Sequence, residues 1–354
     1  MDSRGVPVHR GFFVQDVRKA ELAWWEERKC NTAFIQLAGQ EGVSEARISE
    51  IKPGETLPPY KMAIDEVVYV VSGRGVANVW SDTAPTPRSF EWTDHAMFLV
   101  PHNHYRQFAN MQGDKPVRLL HYSYLPLAMS VVPDPDFFLN NPYVPKGGHM
   151  ENQEFYSEAK IISGGAGLRW QDSGGDRAYW YGNFFPDMRA WDKLNANDHR
   201  GAGGKTVTIQ FAGSDMSCHM SVFPSRTYKK AHRHGPGRVI IIPGGEGYSV
   251  MWQDENSEKI FVPWQEALFV PPNRWFHQHF NLGAEPARYL ALHPPMQFHG
   301  YAEKVQDRLR DQIEYANEDP KVREYFESEL GKRHLTSLIP EEAYQNPDYE
   351  WKAA

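Results

Sequence analysis

The chain has 354 residues, enough for two or three domains with sizeable cores. Its net charge of −7 gives no electrostatic footprint for nucleic acid, and its two cysteines, Cys30 and Cys218, cannot form a disulfide framework. No apolar run approaches the ~18 residues of a membrane span, and the opening residues lead into no apolar signal core, so the expected setting is cytoplasmic, with neither nucleic acid nor membrane as partner.

Taken in chain order, short β-branched and aromatic-rich segments read as strands. They are Glu66–Val71, Val76–Trp80, Val239–Ile242, Tyr248–Trp252 and Ala267–Val270. Turn signals separate them: Ser72-Gly-Arg-Gly75 in the first half and Gly244-Gly-Glu-Gly247 in the second. The 131–205 stretch is long and rich in Pro, Gly and aromatics, which suits a segment packed across a barrel or a dimer contact. Residues 301–331 carry Val305, Leu309 and Ile313, then Val322, Tyr325, Phe326 and Leu330, at helical spacing, with Asp319-Pro320 starting a second helix.

The strands recur. Glu66, followed after six residues by Gly73-Arg-Gly75, is repeated as Arg238, followed after six by Gly245-Glu-Gly247. Val100-Pro101 with Arg106-Gln-Phe-Ala-Asn110 is repeated as Val270-Pro271 with His277-Gln-His-Phe-Asn281. The flank Pro116-Val-Arg-Leu-Leu-His121 is echoed by Pro286-Ala-Arg-Tyr-Leu-Ala291. Separated motifs shifted by nearly one distance indicate a duplicated domain, and the period is far too long for a solenoid.

The second copy carries the chemistry. On extended backbone, His232 and His234 present their imidazoles to one face, and His277 follows a Pro271-Pro-Asn-Arg turn in another strand-like segment. Three neutral imidazoles suit Fe, Zn, Cu, Ni or Mn and leave positions open for water, substrate or O2. His279 shares the face of His277 and reads as a fourth ligand, an acid–base group, a hydrogen-bonding neighbour of the ligands, or a structural histidine beside them. His219 lies on a strand before His232 and either lines the pocket or belongs to core or surface. Tyr248 and Trp252 share a strand face, as an aromatic wall for substrate or as core. Gln278 alternates away from His277, and Cys218 lacks the surroundings of a nucleophile.

These residues resemble the two signature motifs of the cupin superfamily. The first reads here His232-Arg-His234-Gly-Pro-Gly-Arg238-(six residues)-Gly245. The second reads Pro271-Pro-Asn-Arg-Trp-Phe-His277-Gln-His-Phe-Asn281, one residue longer than usual, with Asn273 where Gly is common. The resemblance covers about two thirds of the chain. It implies an all-β protein of two tandem cupin (double-stranded β-helix, jelly-roll) barrels with a helical C-terminal tail. The expected divisions are a degenerate barrel at 1–130, a connection at 131–205, a metal-binding barrel at 206–300 and the tail at 301–354.

Arg238 stands where many cupins place a metal-binding Glu, so the site is similar to the three-histidine variant of gentisate dioxygenase-like bicupins. Without that carboxylate the ion keeps its full charge. An inward Arg238, as strand parity from His234 favours, would suit an anionic substrate; an outward Arg238 would sit in a surface ion pair. In the first copy Tyr60 and Met62 replace the histidine pair and Arg106 replaces the later histidine, so that barrel should hold a Glu66–Arg106 salt bridge and no metal. His102 and His104 fall out of register with the ligand positions and read as loop histidines. Gentisate dioxygenase-like proteins usually keep the working metal in the N-terminal barrel, which sets this chain apart from them.

What the resemblance implies for function is an Fe(II), O2-dependent dioxygenase cleaving a small metal-chelating, aromatic organic acid. The alternatives are a Zn-, Ni- or Mn-dependent lyase, isomerase or hydrolase without O2, and a non-catalytic binding bicupin; Fe(II) is the first ion expected at the site, with Zn, Mn, Ni or Cu as the others. A homodimer or higher homo-oligomer accords with the family.

Overall fold

The computed structural model describes residues 4–144, 154–163, 178–190, 195–196, 200–295 and 310–351. It is an all-β chain of two tandem cupin barrels with helices near the C-terminus. Each barrel closes a large sheet against a small one. In the first, the large sheet has Glu45–Ile51, Val117–Ser123 and Glu66–Ser72 as its centre, and the small one is Tyr105–Asn110, Gly75–Trp80 and Arg88–Trp92. In the second, Ser217–Phe223, Ala287–His293 and Val239–Gly244 are central. The small sheet runs Ile260–Pro263, Gly247–Trp252, Phe276–Asn281, Ala231–His232 and Gln312–Ile313.

The large sheets explain why strands such as Glu66–Ser72 read as continuous apolar runs. Both faces are buried, so the usual alternation with polar residues disappears. One face of each packs against the other barrel, in a shared core including Ile48, Val67, Tyr69, Leu120, Met220, Val239, Ile241 and Leu290. The other face lines its own barrel, with Val68, Val70, Phe98 and Leu119 in the first and Ile240, Ile242, Phe269 and Ala291 in the second. Cys218 lies in the shared core, its Sγ 3.9 Å from Met97 Sδ, and burial pushes its thiol well up, as suits a packing residue.

Each barrel lends the other a short strand. Phe13–Val14 pairs with Leu268–Phe269 of the second barrel, and Phe184–Phe185 pairs with Phe98–Met97 of the first. The lent segments are copies: Phe13-Val14-Gln-Asp16-Val17-Arg18 matches Phe184-Phe185-Pro-Asp187-Met188-Arg189, in the same register as the other repeats. Part of the 131–205 connection is thus structured. Lys160–Ser163 and Ala178–Tyr181 extend the second large sheet, and two short helices, Leu125–Val131 and Pro135–Leu139, precede them.

At the C-terminus, the helix Pro320–Gly331 starts as expected, with Asp319 accepting from the Lys321 N–H at 3.1 Å. It buries Phe326 and Leu330 against Tyr228 and Phe280 on the outer face of the small sheet. The earlier part of the expected helical stretch differs. Val305 and Leu309 fall outside the described residues, and Ile313 belongs to a two-residue strand at the sheet edge, paired with Ala231. Among the described residues no helix is long and apolar enough to cross a membrane.

Candidate metal centre

His232 and His277 are direct cross-strand partners on adjacent strands of the small sheet. His234 comes two residues later and faces the same way, while Arg233 between them points outward to Asp311, at 3.1 Å. The backbone holds the His234 end: the Arg274 N–H donates to the His234 carbonyl at 2.9 Å. Gly237, at φ +82°, turns the chain from His234 into the next strand. A side chain there would come within 2.7 Å of Val43 of the other barrel, so glycine is needed for both reasons. Tyr122 Oη of the first barrel donates to the Gly237 carbonyl at 3.0 Å and ties this turn to the barrel interface.

One candidate ligand atom from each of His232, His234 and His277 lies within 4.8 Å of the others, and the group holds no carboxylate. The ring centroids of His232 and His277 are 4.1 Å apart, and those of His234 and His277 4.7 Å. Nδ1–H of His234 can donate to the Gly235 carbonyl at 2.7 Å, and Nδ1 of His277 faces the Trp275 carbonyl at 3.3 Å, which leaves both Nε2 atoms for an ion. Nδ1 of His232 is buried without a protein hydrogen-bond partner among the described residues. An orphaned buried imidazole nitrogen beside two oriented ones fits a divalent ion of the imidazole-binding class.

Burial keeps all three rings neutral. It pushes His232 and His234 well below the usual imidazole range and His277 down to about 3, helped by the charges of Arg200 and Arg238. Ion loading near pH 7 should therefore release no ligand proton, so calorimetric titrations in buffers of different ionisation enthalpy should give the same heat. The linkage sign follows for the metal-free protein. A base depressed in the folded state leaves stability intact above its unfolded value, about 6.5, and lost as pH falls towards 3. Thermal melts of metal-free protein should drop across that window.

Around the three histidines the barrel interior is basic. Arg238 is 2% exposed, and its charge acts on His234 and His277, which agrees with the inward reading. His279 also lies inside, its Nδ1 2.9 Å from Ser249 Oγ and its ring 4.3 Å from that of Tyr289, while its Nε2 has no protein partner among the described residues. His219 sits farther along, with Nδ1 2.7 Å from His293 Nε2 and its ring against Tyr289. Lys229 and Ser221 join this interior, and the sequence reading passed over both. Neither residue belongs to the two histidine motifs.

Tyr248 and Trp252 are placed elsewhere. They share a face, but the opposite one: Tyr248 stacks on Phe280 at 4.5 Å and meets Tyr325 of the C-terminal helix, and Trp252 stacks on Phe276. Their neighbour Ser249, one residue out of phase, is the one that reaches His279. Both aromatics belong to the core under the helix, so they form no wall of the histidine pocket.

The first barrel has the same geometry with different chemistry. Tyr60 and Arg106 are cross-strand partners, as His232 and His277 are in the second. The expected ion pair is present, Arg106 Nη1 to Glu66 Oε2 at 3.0 Å, and Arg47, Tyr60 and His121 join it. His102 pairs with Asp65 at 2.9 Å and His104 meets the His102 carbonyl, both apart from this cluster. A large open cavity of about 900 Å³ lies on this barrel, lined by residues including Val8, Phe34, Gln40 and Glu45 and by none of the three histidines.

No protein-family model matches the sequence, and no curated protein matches it. Solved structures do. A Trp-to-Tyr variant of oxalate decarboxylase from Bacillus subtilis aligns with a TM-score of 0.50 at 10% identity, over 89% of this chain and 83% of that one. A Trp-to-Phe variant of the same enzyme gives the same values. Oxalate decarboxylase from Lactobacillus farciminis, solved as a formate complex, aligns with a TM-score of 0.49 at 12% identity, over 88% of this chain and 95% of that one. Another structure of the Bacillus enzyme, with a TM-score of 0.49 and 10% identity over 89% and 83%, is described for its Mn(II) centres. These neighbours are oxalate decarboxylases and not gentisate dioxygenase-like proteins, and at this identity the likeness speaks for the fold: the chain has the two-barrel architecture of the bicupins.

Proposed function

We propose that the C-terminal barrel is a metal-dependent active site that acts on a small organic anion by non-oxidative, lyase-type chemistry. The observation that carries this reading is the buried trio of His232, His234 and His277, with no carboxylate among them and Arg238 buried alongside. A divalent ion held by these imidazoles would supply Lewis acidity at a carboxylate or carbonyl oxygen. Arg238 would pair with the anionic group of the substrate and orient it. His279, with Nδ1 on Ser249 and Nε2 bare inside the barrel, would give or take one proton. Burial of these groups inside the barrel would limit water and strengthen each of these interactions.

The fold neighbours support lyase chemistry, since the Bacillus enzyme among them is by name a decarboxylase of a small dianion. Manganese is the first ion to try, and iron, zinc, nickel and copper suit the same donors. A gentisate dioxygenase-like reaction with Fe(II) and O2 draws on the same three imidazoles, whose neutral set leaves room for both substrate and O2. The test is turnover of small carboxylic acids by protein loaded with Mn(II) or Fe(II), with and without oxygen. Carbon dioxide release that persists under anaerobic conditions is expected. Product formation coupled to O2 uptake would transfer the reading to the dioxygenase, and saturable binding without turnover would make the chain a binding protein.

A further inference from the structure

Lys229 precedes the His232 strand, and its backbone N–H donates to the His279 carbonyl at 3.0 Å. That register sets Lys229 and His279 side by side, next to the His232–His277 pair on the same two strands. The Lys229 side chain is 1% exposed. Its Nζ donates to Ser221 Oγ and lies 5.5 Å from the Tyr289 ring centre and 5.7 Å from that of Phe223. No carboxylate reaches it among the described residues. Burial and then the Arg200 charge pull its amine down to about 7, with no acid pulling the other way. Gly204 keeps the space beside it, since a side chain there would come within 3.1 Å of Nζ.

A buried lysine without a counter-ion is rare, because removing an ammonium from water is costly unless an anion compensates. An ammonium has three N–H donors, and a protein group takes one of these. The neighbouring His279 Nε2 is likewise without a protein partner among the described residues. An ammonium with one donor used and no counter-ion, beside an imidazole nitrogen with no protein partner among the described residues, both inside the barrel, marks a place shaped for a ligand's polar end.

We propose that Lys229 anchors a second acidic group of the substrate, so that the C-terminal barrel takes a small dicarboxylate. This rests on the functional reading above. One carboxylate lies towards the three histidines and Arg238, and the other accepts from Lys229 Nζ. Two residues along a strand span about 6.6 Å, so the two acid groups are separated by a short carbon chain.

The experiment compares Mn(II)-loaded wild type, Lys229→Met and Lys229→Arg in calorimetric titrations with matched ligands, succinate against butyrate and glutarate against valerate. Wild type should prefer the diacid by roughly tenfold or more, Lys229→Arg should keep the preference and Lys229→Met should lose it, with ion content equal in all three. A preference that survives in Lys229→Met overturns the proposal. A second measurement needs no variant. The Lys229 Nζ resonance of wild type should move to its protonated position on adding glutarate and not on adding valerate; no movement overturns the proposal as well. If wild type binds no Mn(II), the metal reading fails instead, and the same ligand pairs on metal-free protein still judge Lys229.

Discussion

Replacing His277 with alanine should abolish ion binding while leaving both barrels folded. His277 is 1% exposed and is the member of the trio close to both others, at 4.1 and 4.7 Å between ring centres. Its loss leaves two imidazoles, which do not hold a divalent ion against water, so affinity should fall by about a hundredfold or more. The fold should tolerate the change, because the strand that carries His277 keeps its backbone bonds to Gly247–Trp252 and its outer-face packing under the C-terminal helix. Ion analysis after gel filtration reads the first effect. Thermal melts read the second: added Mn(II) should raise the wild-type midpoint through its binding free energy and leave the variant unmoved. His279→Ala is the contrast. It should keep the ion, because His279 leans on Ser249 and Tyr289, and lose activity by about 10²- to 10⁴-fold if it transfers a proton. Equal ion content in wild type and His277→Ala would remove the three-histidine assignment.

The trio was legible because its geometry is local. His232 and His234 share a face by strand parity, and the internal repeat fixes which later strand brings the third ring. The same repeat predicted that Arg106 would face Glu66, and the structure pairs them at 3.0 Å. Side-chain direction was less legible. Parity put Tyr248 and Trp252 together, but which face is the inner one depends on Ser249, a small polar residue that periodicity does not mark, and on a helix some seventy residues later that covers the outer face. Lys229, Arg47 and His121 were missed for a related reason. Arg47 and His121 meet Glu66 from other strands, and Lys229 meets Ser221 across a turn, so no spacing along one strand marks any of them. The lent strands were missed although their signal was present: Phe13-Val14 and Phe184-Phe185 carry the same flanking Asp and Arg, but two-residue strands are too short to announce themselves by alternation.

In the first barrel, Glu66→Gln should be among the most destabilising single changes in the chain, although it alters the size of the side chain hardly at all. Glu66 is fully buried and accepts from Arg106 Nη1 and Arg47 Nη2, both at 3.0 Å, and from Tyr60 Oη at 2.9 Å. Burial alone would raise its carboxyl, yet the surrounding His121, Arg106 and Arg47 hold it well below the usual carboxylate range. Its charge is what makes two buried guanidinium groups tolerable. Without it they remain in the core uncompensated, and breaking such a pair costs about 3–5 kcal/mol. For a protein of this size the melting midpoint should fall by roughly 5–10 °C. The double variant Glu66→Gln with Arg106→Gln should recover part of the loss, because it removes one of the stranded charges, and a double-mutant cycle measures how much. The pH dependence has a defined sign. A carboxylate depressed in the folded state stabilises above its unfolded value and loses that contribution as pH falls through the folded one, so the wild type should lose this advantage over Glu66→Gln only in strong acid. Ion content in the C-terminal barrel should not change, since no residue of this cluster touches the three histidines. The two barrels thus answer one problem, several buried polar side chains converging at the same place in the fold, in two ways: an internal ion pair in the first, and in the second a basic interior that, on the reading proposed above, takes an ion and an acid.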